Sequence, residues 1–242
     1  MTEDRKVVII TGASRGIGRQ LALDCASHGM IVAVNCRSSI ADGEAVVSEI
    51  ESANGEALLV PGDVSDKQIV DTMVSQVVAR FGRVDCLINN AGIGDIIDLD
   101  VITEADFERT LQVNLTSAFL VSQAVIPHMT TQGGGRLIFM SSTAARVGGL
   151  ISAAYAASKA GTEGLMHYYA NYLLPRHITA NAIAPALVES DMIRQMKLPD
   201  TSTMPLGRLG RPDEIWPVVR ALIETEYITG QTIQINAGRY MT

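Results

Sequence analysis

The feature that most constrains this chain is a glycine-rich turn between a short apolar run and a helix-like pattern. Residues 7–10 are continuously apolar, which is typical of a strand buried on both faces. Residues 11–18 follow directly and include Gly12, Gly16 and Gly18. Glycines in such a turn let the backbone approach a pyrophosphate, and the helix that follows presents free N–H groups and its positive dipole end. The arrangement therefore predicts a phosphate site, although a glycine turn on its own could be structural.

Strand-like and helix-like segments alternate along the rest of the chain. Apolar runs that predict strands lie at 30–34, 57–60, 86–88, 136–140, 178–184 and 232–235. Patterns that predict helices lie at 42–53, 65–81, 103–129, 152–174 and from 211 onward, with capping signals at 65–68 and 103–106. Such alternation predicts an α/β fold, a doubly wound Rossmann-type parallel sheet of about seven strands with helices on both faces. Because no linker or repeat interrupts it, residues 1–242 are expected to form a single dinucleotide-binding and catalytic domain.

Residues 186–211 depart from this alternation. They contain two prolines, two glycines and several polar residues, with one short helical stretch at 190–197. A long segment of this kind predicts a lid that closes over the substrate and excludes water.

Composition narrows the classes of partner and cofactor. The net charge of −7 argues against a general nucleic-acid-binding surface. The three cysteines form no C-x-x-C pair and the four histidines have no metal-ligand spacing, so neither disulfides nor a metal site is expected. The first six residues are mostly polar or charged, and no apolar run nears the ~18 residues of a membrane span. We therefore expect a cytoplasmic protein that binds neither membrane nor nucleic acid.

Tyr155 and Lys159 have the spacing of neighbours on one face of the predicted helix at 152–174. A free tyrosine has a pKa of about 10, and a nearby ammonium would lower it, so such a pair can serve as a general acid or base. Ser142 ends the fifth predicted strand, where its hydroxyl could donate to a substrate carbonyl. Taken alone, the pair could arise by chance, and the serine could be an ordinary turn or capping residue.

The end of the second predicted strand bears on the choice of cofactor. A carboxylate there would bind the 2′-hydroxyl of NAD, but residues 34–39 contain no acid. Arg37 lies in that segment and Arg15 lies in the glycine turn, and two guanidinium groups suit a 2′-phosphate. This chemistry favours NADP(H) over NAD(H), unless Arg37 is an ordinary surface residue. Asp63, after the third strand, could accept from an adenine amino group or simply belong to a turn.

With these features, the chain resembles the short-chain dehydrogenase/reductase family over residues 6–237. The motifs that carry the resemblance, in the family's order and spacing, are the segments 11–18 and 89–92 together with Asn114, Ser142, Tyr155 and Lys159. The resemblance implies an oxidoreductase acting on CH–OH groups and a homotetramer. Apolar residues on more than one face of the helices predicted at 103–129 and 152–174 agree with self-association.

The resemblance also implies a role for each matching position. The positions implied to bind NADP(H) are Gly12, Ala13, Ser14, Arg15, Ile17, Arg37, Asp63, Val64, Asn90, Ala91, Tyr155, Lys159, Pro185 and Val188. The glycine turn would line the adenosine phosphates, Arg37 the 2′-phosphate, and the last two positions the nicotinamide amide. The family usually has Pro-Gly where this chain has Pro185-Ala186, so this loop must differ slightly if the glycine is needed for a positive φ.

Four positions are implied to be catalytic. Ser142 would orient the carbonyl and Tyr155 would be the acid. Lys159 would bind the nicotinamide ribose and lower the pKa of Tyr155. Asn114 would hold a water that links Lys159 to solvent.

Within the family, the chain is most similar to bacterial 3-oxoacyl-acyl-carrier-protein reductases and acetoacetyl-CoA reductases. This similarity implies NADPH-dependent reduction of a ketone to a secondary alcohol, with a 3-oxoacyl thioester as the substrate, and a place in fatty acid biosynthesis. In the carrier-protein enzymes the stretch before strand five is often basic, but residues 129–135 carry no positive charge, and Arg176 is the second basic position expected. Reduction of another small ketone, as by a carbonyl reductase or alcohol dehydrogenase, and non-catalytic NADP(H) sensing are the alternatives.

Overall fold

The sheet of the protein is parallel throughout. The structure, a computed structural model, describes residues 5–194 and 201–241. The strands are β1 (Val7–Ile10), β2 (Ile31–Val34), β3 (Glu56–Leu59), β4 (Cys86–Asn89), β5 (Gly135–Met140), β6 (Ile178–Pro185) and β7 (Thr232–Ile235). They lie in the order β3-β2-β1-β4-β5-β6-β7, and helices cover both faces. The predicted Rossmann-type α/β fold is therefore confirmed.

The helices connect successive strands. They are α1 (Gly16–Ser27), α2 (Ile40–Ser52), α3 (Lys67–Phe81), α4 (Glu104–Leu111), α5 (Ser117–Thr131), α6 (Ala144–Val147), α7 (Ala153–Leu173), α8 (Asp191–Arg194) and α9 (Trp216–Glu224). A π-helical turn at Gln112–Thr116 joins α4 to α5, and a 3-10 turn at Pro212–Ile215 precedes α9. Among the described residues, no helix is both long and apolar enough to span a membrane.

The strand order explains where a cleft opens. β1 lies at the centre and pairs with both β2 and β4, so that Val8 lies opposite Val32 on one side and Cys86 on the other. Strand order reverses at this point, and the loops that leave β1 and β4 therefore diverge. In open α/β sheets, ligands bind at the carboxyl ends of the strands beside such a reversal.

Alternate side chains of β1 pack into two apolar layers, one on each face of the sheet. Val7 and Ile9 face the layer formed with α3, α5 and α7. Val8 and Ile10 face the layer formed with α1, α2 and α9. All four are 1% exposed or less, which is why the strand reads as an uninterrupted apolar run instead of an alternating one.

Side-chain caps fix two of the helix starts. The cap signal predicted at 103–106 is confirmed, and it takes the form of a capping box in which Thr103 and Asp106 bond each other's backbone N–H groups. The box predicted at 65–68 is wrong, because Asp66 caps α3 by accepting from the N–H groups of Gln68 and Ile69. Ser65 instead donates its hydroxyl to the Asp63 carboxylate at 2.6 Å, so it belongs to the preceding turn.

The single helix predicted over 103–129 is also wrong in one respect. The π-helical turn interrupts it and separates α4 from α5, and Asn114 lies within that turn. A π turn inserts one extra residue into the helical ladder, a feature that hydrophobic periodicity does not report.

The segment 186–211 is described in part. A short helix at Asp191–Arg194 lies within the helical stretch predicted at 190–197, and residues 195–197 of that prediction lie outside the described residues. Val188 forms a bridge with Gly210, which joins the two ends of the segment.

Candidate active site

A cavity of about 650 Å³ runs along the carboxyl edge of the sheet at the strand-order reversal. It extends from Arg37, after β2, past the glycine turn to Tyr155 on α7. Of the predicted site residues, those that line it are Gly12, Ser14, Arg15, Ile17, Arg37, Asp63, Val64, Asn90, Ala91, Ser142, Tyr155, Lys159, Pro185 and Val188. Ala13 and Asn114 are not among the lining residues that the structure describes.

The glycine turn is packed against the loop after β4. Gly12 and Gly16 have φ values of 64° and 55°, which favour glycine. A Cβ on Gly12 would lie 3.0 Å from the Cα of Ala91, and one on Gly18 would lie 2.3 Å from the carbonyl oxygen of Gly12. Gly12 and Gly18 are therefore needed for the close packing of the turn and its neighbouring loop.

Two predicted cofactor contacts in this region have structural tasks. The Asn90 carboxamide donates to the carbonyls of Thr11 and Gly12, at 2.9 and 3.0 Å, and so ties β4 to the turn. Ala13 is fully buried, and its N–H donates to the carbonyl of Asn35 at 2.7 Å. The N–H of Ala13 is therefore not free for a phosphate, and its methyl group belongs to the core.

The N-terminus of α1 faces the cavity through Gly16 and Ile17. Arg15 precedes the helix, and its side chain makes no capping hydrogen bond within the described residues. Free N–H groups, the helix dipole and the Arg15 guanidinium all favour an anion at this point.

At the far end of the cavity, Nη1 of Arg37 lies 3.8 Å from Oδ2 of Asp63. Burial alone would raise the pKa of Asp63, but hydrogen bonds from Ser65 and the Arg37 guanidinium outweigh it and lower the pKa. The Arg37 side chain is 62% exposed, so the ion pair leaves much of the guanidinium open to a ligand. Asn35, where a carboxylate would bind a ribose hydroxyl, uses its side chain to bond Gly12, Val60 and Gly62 instead.

The catalytic end of the cavity is built on α7. Ser152 caps the helix by accepting from the N–H of Tyr155 at 3.2 Å. Lys159 lies one turn later, 6% exposed, and its ammonium donates to the carbonyl of Met140 at 2.8 Å. The Tyr155 hydroxyl is hydrogen-bonded to Ser142, which stands just after β5. The structure thus brings Ser142, Tyr155 and Lys159 together, as predicted.

The electrostatics differ from the prediction made for Tyr155. Burial raises the pKa of Tyr155, and the hydrogen bond with Ser142 only partly opposes this. Burial also lowers the pKa of Lys159 to about 8. The Lys159 ammonium lies 5.6 Å from the centroid of the Tyr155 ring and bonds a backbone carbonyl. A lowered pKa of Tyr155 is therefore not found in the chain itself, because burial outweighs the hydrogen bond with Ser142, and the effect of Lys159 on this pKa stays a prediction.

Asn114 stands behind Lys159 and not on the cavity wall. Its Oδ1 accepts from the N–H of Ile93 at 2.8 Å, and its Nδ2 donates to the hydroxyl of Ser158 at 3.0 Å. A Cβ on Gly92 would lie 3.2 Å from Asn114 Oδ1 and 3.6 Å from Lys159 Nζ, so both side chains lie beside this glycine. Asn114 thereby joins the loop after β4 to α7, while its link to a water stays a prediction.

The loop after β6 is held between two neighbouring loops. The N–H of Thr143 donates to the carbonyl of Pro185, and the N–H of Ala186 donates to that of Ile235, both at 3.0 Å. In the described part of the chain, positive φ values outside glycine occur at Asn54, His177 and Ala237. Ala186 therefore adopts an ordinary conformation, and the departure from Pro-Gly requires no backbone strain.

Arg239 is a cavity-lining residue that the sequence analysis missed. It lies in a turn after β7 in which Asn236 accepts from the N–H of Gly238 at 2.9 Å and donates to the carbonyl of Tyr240 at 2.7 Å. No motif marks Arg239, because its position depends on the pairing of β7 with β6 at the sheet edge.

The burial of Lys159 leads to a prediction about stability. Because its pKa is lower in the folded protein than the roughly 10.4 of the unfolded chain, the buried ammonium opposes folding below about pH 8. This opposition fades as the pH rises toward 10.4. We expect Lys159→Met to raise the free energy of unfolding at pH 7 by about 2 kcal/mol, after allowing for the lost bond to Met140. The gain should shrink steadily above pH 8.

Urea unfolding of both proteins between pH 7 and pH 10 measures this difference. A Lys159→Met protein that is less stable than the wild type at pH 7 would contradict the inference that the buried ammonium of Lys159 lowers the free energy of unfolding.

Comparison with known proteins gives a consistent identification. The family model for short chain dehydrogenases matches residues 6–200. A 3-oxoacyl-acyl-carrier-protein reductase of Synechocystis sp. is 38% identical over 241 residues, which cover 98% of this chain and 97% of that protein. Reductases of the same name from Staphylococcus aureus and Staphylococcus epidermidis are each 39% identical over 242 residues, covering 98% of this chain and at least 98% of those proteins. The chain therefore belongs to the short-chain dehydrogenase/reductase family, whose members are oxidoreductases acting on CH–OH groups.

Proposed function

We propose that the protein reduces 3-oxoacyl thioesters to 3-hydroxyacyl thioesters with NADPH. The observation that carries the proposal is the hydrogen-bonded pair of Ser142 and Tyr155, with Lys159 beside it, in the same cavity as the glycine turn. Two hydroxyl groups that converge on one point can both bond a single carbonyl oxygen. This arrangement suits the conversion between a ketone and an alcohol.

The residues present fit a nicotinamide dinucleotide. Gly12 and Gly18 line the cavity and allow a tight turn packed against the loop after β4, and the N-terminus of α1 supplies donors for a pyrophosphate. The cavity reaches from this turn to Lys159, whose ammonium is a donor suited to ribose hydroxyls. When bound, the nicotinamide supplies the hydride.

The chain's own groups handle the proton and the developing charge. Because burial raises the pKa of Tyr155, this side chain keeps its proton at neutral pH and is ready to donate it to the carbonyl oxygen. Ser142 bonds the same oxygen and stabilises the negative charge that develops on it. Lys159 at a pKa of about 8 is mostly protonated at neutral pH, which supports proton donation by its neighbour.

The preference for NADPH rests on the charges at the adenosine end. Arg15 and Arg37 line the cavity there, and the carboxamide of Asn35 stands where a carboxylate would select NAD. Among the described residues, Asp63 is the acid that lines this end of the cavity beside Arg37. Its carboxylate also accepts a hydrogen bond from the N–H of Ser65. A 2′-phosphate can therefore reach two guanidinium groups.

The substrate class rests on the relatives and on the cavity wall. The relatives named above are reductases of 3-oxoacyl groups on acyl carrier protein. The wall near Tyr155 includes the apolar side chains of Val147, Leu150 and Ile151, which suit an acyl chain.

A second candidate is a reductase of CoA-linked or free β-keto substrates. Arg136, the first basic residue after the neutral stretch 129–135, is 11% exposed and donates to Glu226 at 2.9 Å. It is therefore not available to an acidic carrier protein. Arg176, the second basic position expected from the resemblance to the carrier-protein enzymes, is exposed. This observation favours substrates that do not need a carrier-protein docking surface.

We also propose that the protein assembles as a homotetramer. Tyr168 and Tyr172 stack on the outer face of α7 with ring centroids 4.4 Å apart, yet their side chains are 57% and 60% exposed. Phe119 on α5 is exposed as well. A second copy would cover this aromatic surface. Sedimentation equilibrium at micromolar concentration is expected to give four times the chain mass, and a monomer would contradict the assembly.

The function is tested by initial rates with a matched set of substrates and both cofactors. We expect NADPH to be oxidised in the presence of acetoacetyl-CoA. The kcat/KM for NADH should be at least tenfold lower than that for NADPH. Acetoacetyl-acyl carrier protein should give a kcat/KM no more than about tenfold above that of the CoA ester, since one exposed charge contributes about 1 kcal/mol. Failure of every β-keto substrate would contradict the reductase assignment.

Variants at the adenosine end separate cofactor preference from general damage. Arg37→Ala should raise the KM for NADPH about tenfold and leave the KM for NADH nearly unchanged, because a charge-assisted hydrogen bond contributes about 1.5–3 kcal/mol. Arg19→Ala is the control, since Arg19 lies on the same side of the sheet and pairs with Glu49 outside the cavity. Equal effects on both cofactors would overturn the preference for NADPH.

A further inference from the structure

Glu163 is a buried carboxylate that the proposed chemistry does not use. It lies on α7 and is 4% exposed. It follows Lys159 by four residues and Tyr155 by eight, so all three side chains lie along one face of the helix. A carboxylate at such a position needs a reason, because an ionised group loses its hydration when it is buried.

The contacts of Glu163 lie on both sides of Ser142. Its Oε1 accepts from the hydroxyl of Ser141 at 2.8 Å. Its Oε2 accepts from the Nε of Arg146 at 2.9 Å and lies 2.8 Å from a terminal nitrogen of the same guanidinium. Ser141 immediately precedes Ser142, and Arg146 follows it by four residues. One carboxylate therefore holds the chain before and after the hydroxyl that bonds Tyr155.

The contacts of Glu163 join α7 to the loop after β5 and to α6. Ser142 also accepts from the N–H of Ala144 at 3.1 Å, so the start of α6 and the serine move as one unit. Without Glu163, α7 would still bond the chain before Ser142, through Lys159 to the carbonyl of Met140 at 2.8 Å and through the Ser141 hydroxyl to the carbonyl of Lys159 at 3.5 Å. The ion pair that holds the chain after Ser142 would be lost. Both oxygens of Glu163 are engaged, Oε1 by the Ser141 hydroxyl and Oε2 by two nitrogens of the Arg146 guanidinium, and such charge-assisted hydrogen bonds fix direction as well as distance.

Stability alone does not explain a carboxylate at this place. Replacing a buried ion pair with apolar residues of similar volume is often neutral or stabilising. Here only the carboxylate is deeply buried, since the Arg146 side chain is 43% exposed. What an apolar pair could not supply is the fixed orientation of the chain around Ser142.

We propose that Glu163, acting through Ser141 and Arg146, is a positioning residue that holds the Ser142 hydroxyl in line with Tyr155. It also anchors α6, and with it Val147, which lines the wall of the cavity. This inference rests on the proposed reductase function only in that Ser142 and Tyr155 perform the chemistry. Glu163 itself touches neither the substrate nor the cofactor.

The test compares folding with turnover in the same variants. In Glu163→Leu/Arg146→Met, the ion pair is replaced by apolar side chains, and we expect a midpoint of urea unfolding at or above that of the wild type. With acetoacetyl-CoA and NADPH as the probe, kcat should nevertheless fall about 10- to 100-fold, since small errors in orientation reduce rates on that scale. The KM for NADPH should stay within twofold, because the adenosine end is untouched.

Glu163→Gln keeps an acceptor for Ser141 but loses the ion pair, and it should lose about three- to tenfold in kcat. Asp85→Asn is the matched control. The Asp85 carboxylate is 13% exposed, accepts from the N–H of Val7 at 2.8 Å and pairs with Arg83 at 2.6 Å, but it lies at the opposite edge of the sheet. Its replacement should weaken folding and leave kcat within twofold.

Three results would overturn the proposal. The first is a stable double variant with a kcat within twofold of the wild type. The second is an Asp85→Asn protein that loses kcat as strongly as Glu163→Gln. The third is given by Ser141→Ala. If the double variant fails to fold, Ser141→Ala decides instead, because it removes one contact of Glu163 and leaves the core in place. A Ser141→Ala protein with unchanged kcat would overturn the positioning role. Inactivity of the wild type would instead refute the proposed function.

Discussion

The bond between the buried Lys159 ammonium and the carbonyl of Met140 joins the two elements on which the site depends. Met140 is the last residue of β5, and Ser142 follows it, whereas Lys159 and Tyr155 share a turn of α7. The bond therefore sets the distance between the serine and the tyrosine. Burial lowers the pKa of Lys159 to about 8, so this link is weaker for stability than an apolar contact would be. This loss of stability agrees with the role in the reaction that we propose for the Lys159 ammonium.

The remainder of the site follows from the reversal of strand order between β1 and β4. Loops diverge there, and the glycines of the first loop allow it to pack against Ala91 while staying open toward the ligand. The glycine turn and the catalytic groups occupy neighbouring loops of one rigid sheet edge. Because both groups of residues line one cavity, the dinucleotide that we propose would extend from the glycine turn to Tyr155 along this edge.

Sequence patterns predicted most of this arrangement, for reasons that are local. Continuous apolar runs mark strands buried on both faces, and a four-residue spacing on a helix brings Tyr155 and Lys159 together. Patterns of this kind do not report the π turn that carries Asn114, the engagement of Ala13 by Asn35, or the rise in the pKa of Tyr155. Each depends on contacts between segments far apart in sequence. The sequence did not indicate a role for Glu163 for the same reason, since only the fold places this residue beside Ser141 and Arg146.

In the mechanism that we propose, Tyr155 is a buried, protonated acid that donates its proton during reduction. The most direct test is the pH dependence of kcat in both directions, with acetoacetyl-CoA and NADPH or 3-hydroxybutyryl-CoA and NADP⁺. Because the pKa of Tyr155 is raised, reduction should be flat from about pH 6 to 7.5, while oxidation should rise with pH throughout, and Tyr155→Phe should lose about 10²- to 10⁴-fold in both. Reduction that declines through neutral pH, or a Tyr155→Phe protein with near-normal turnover, would contradict the claim.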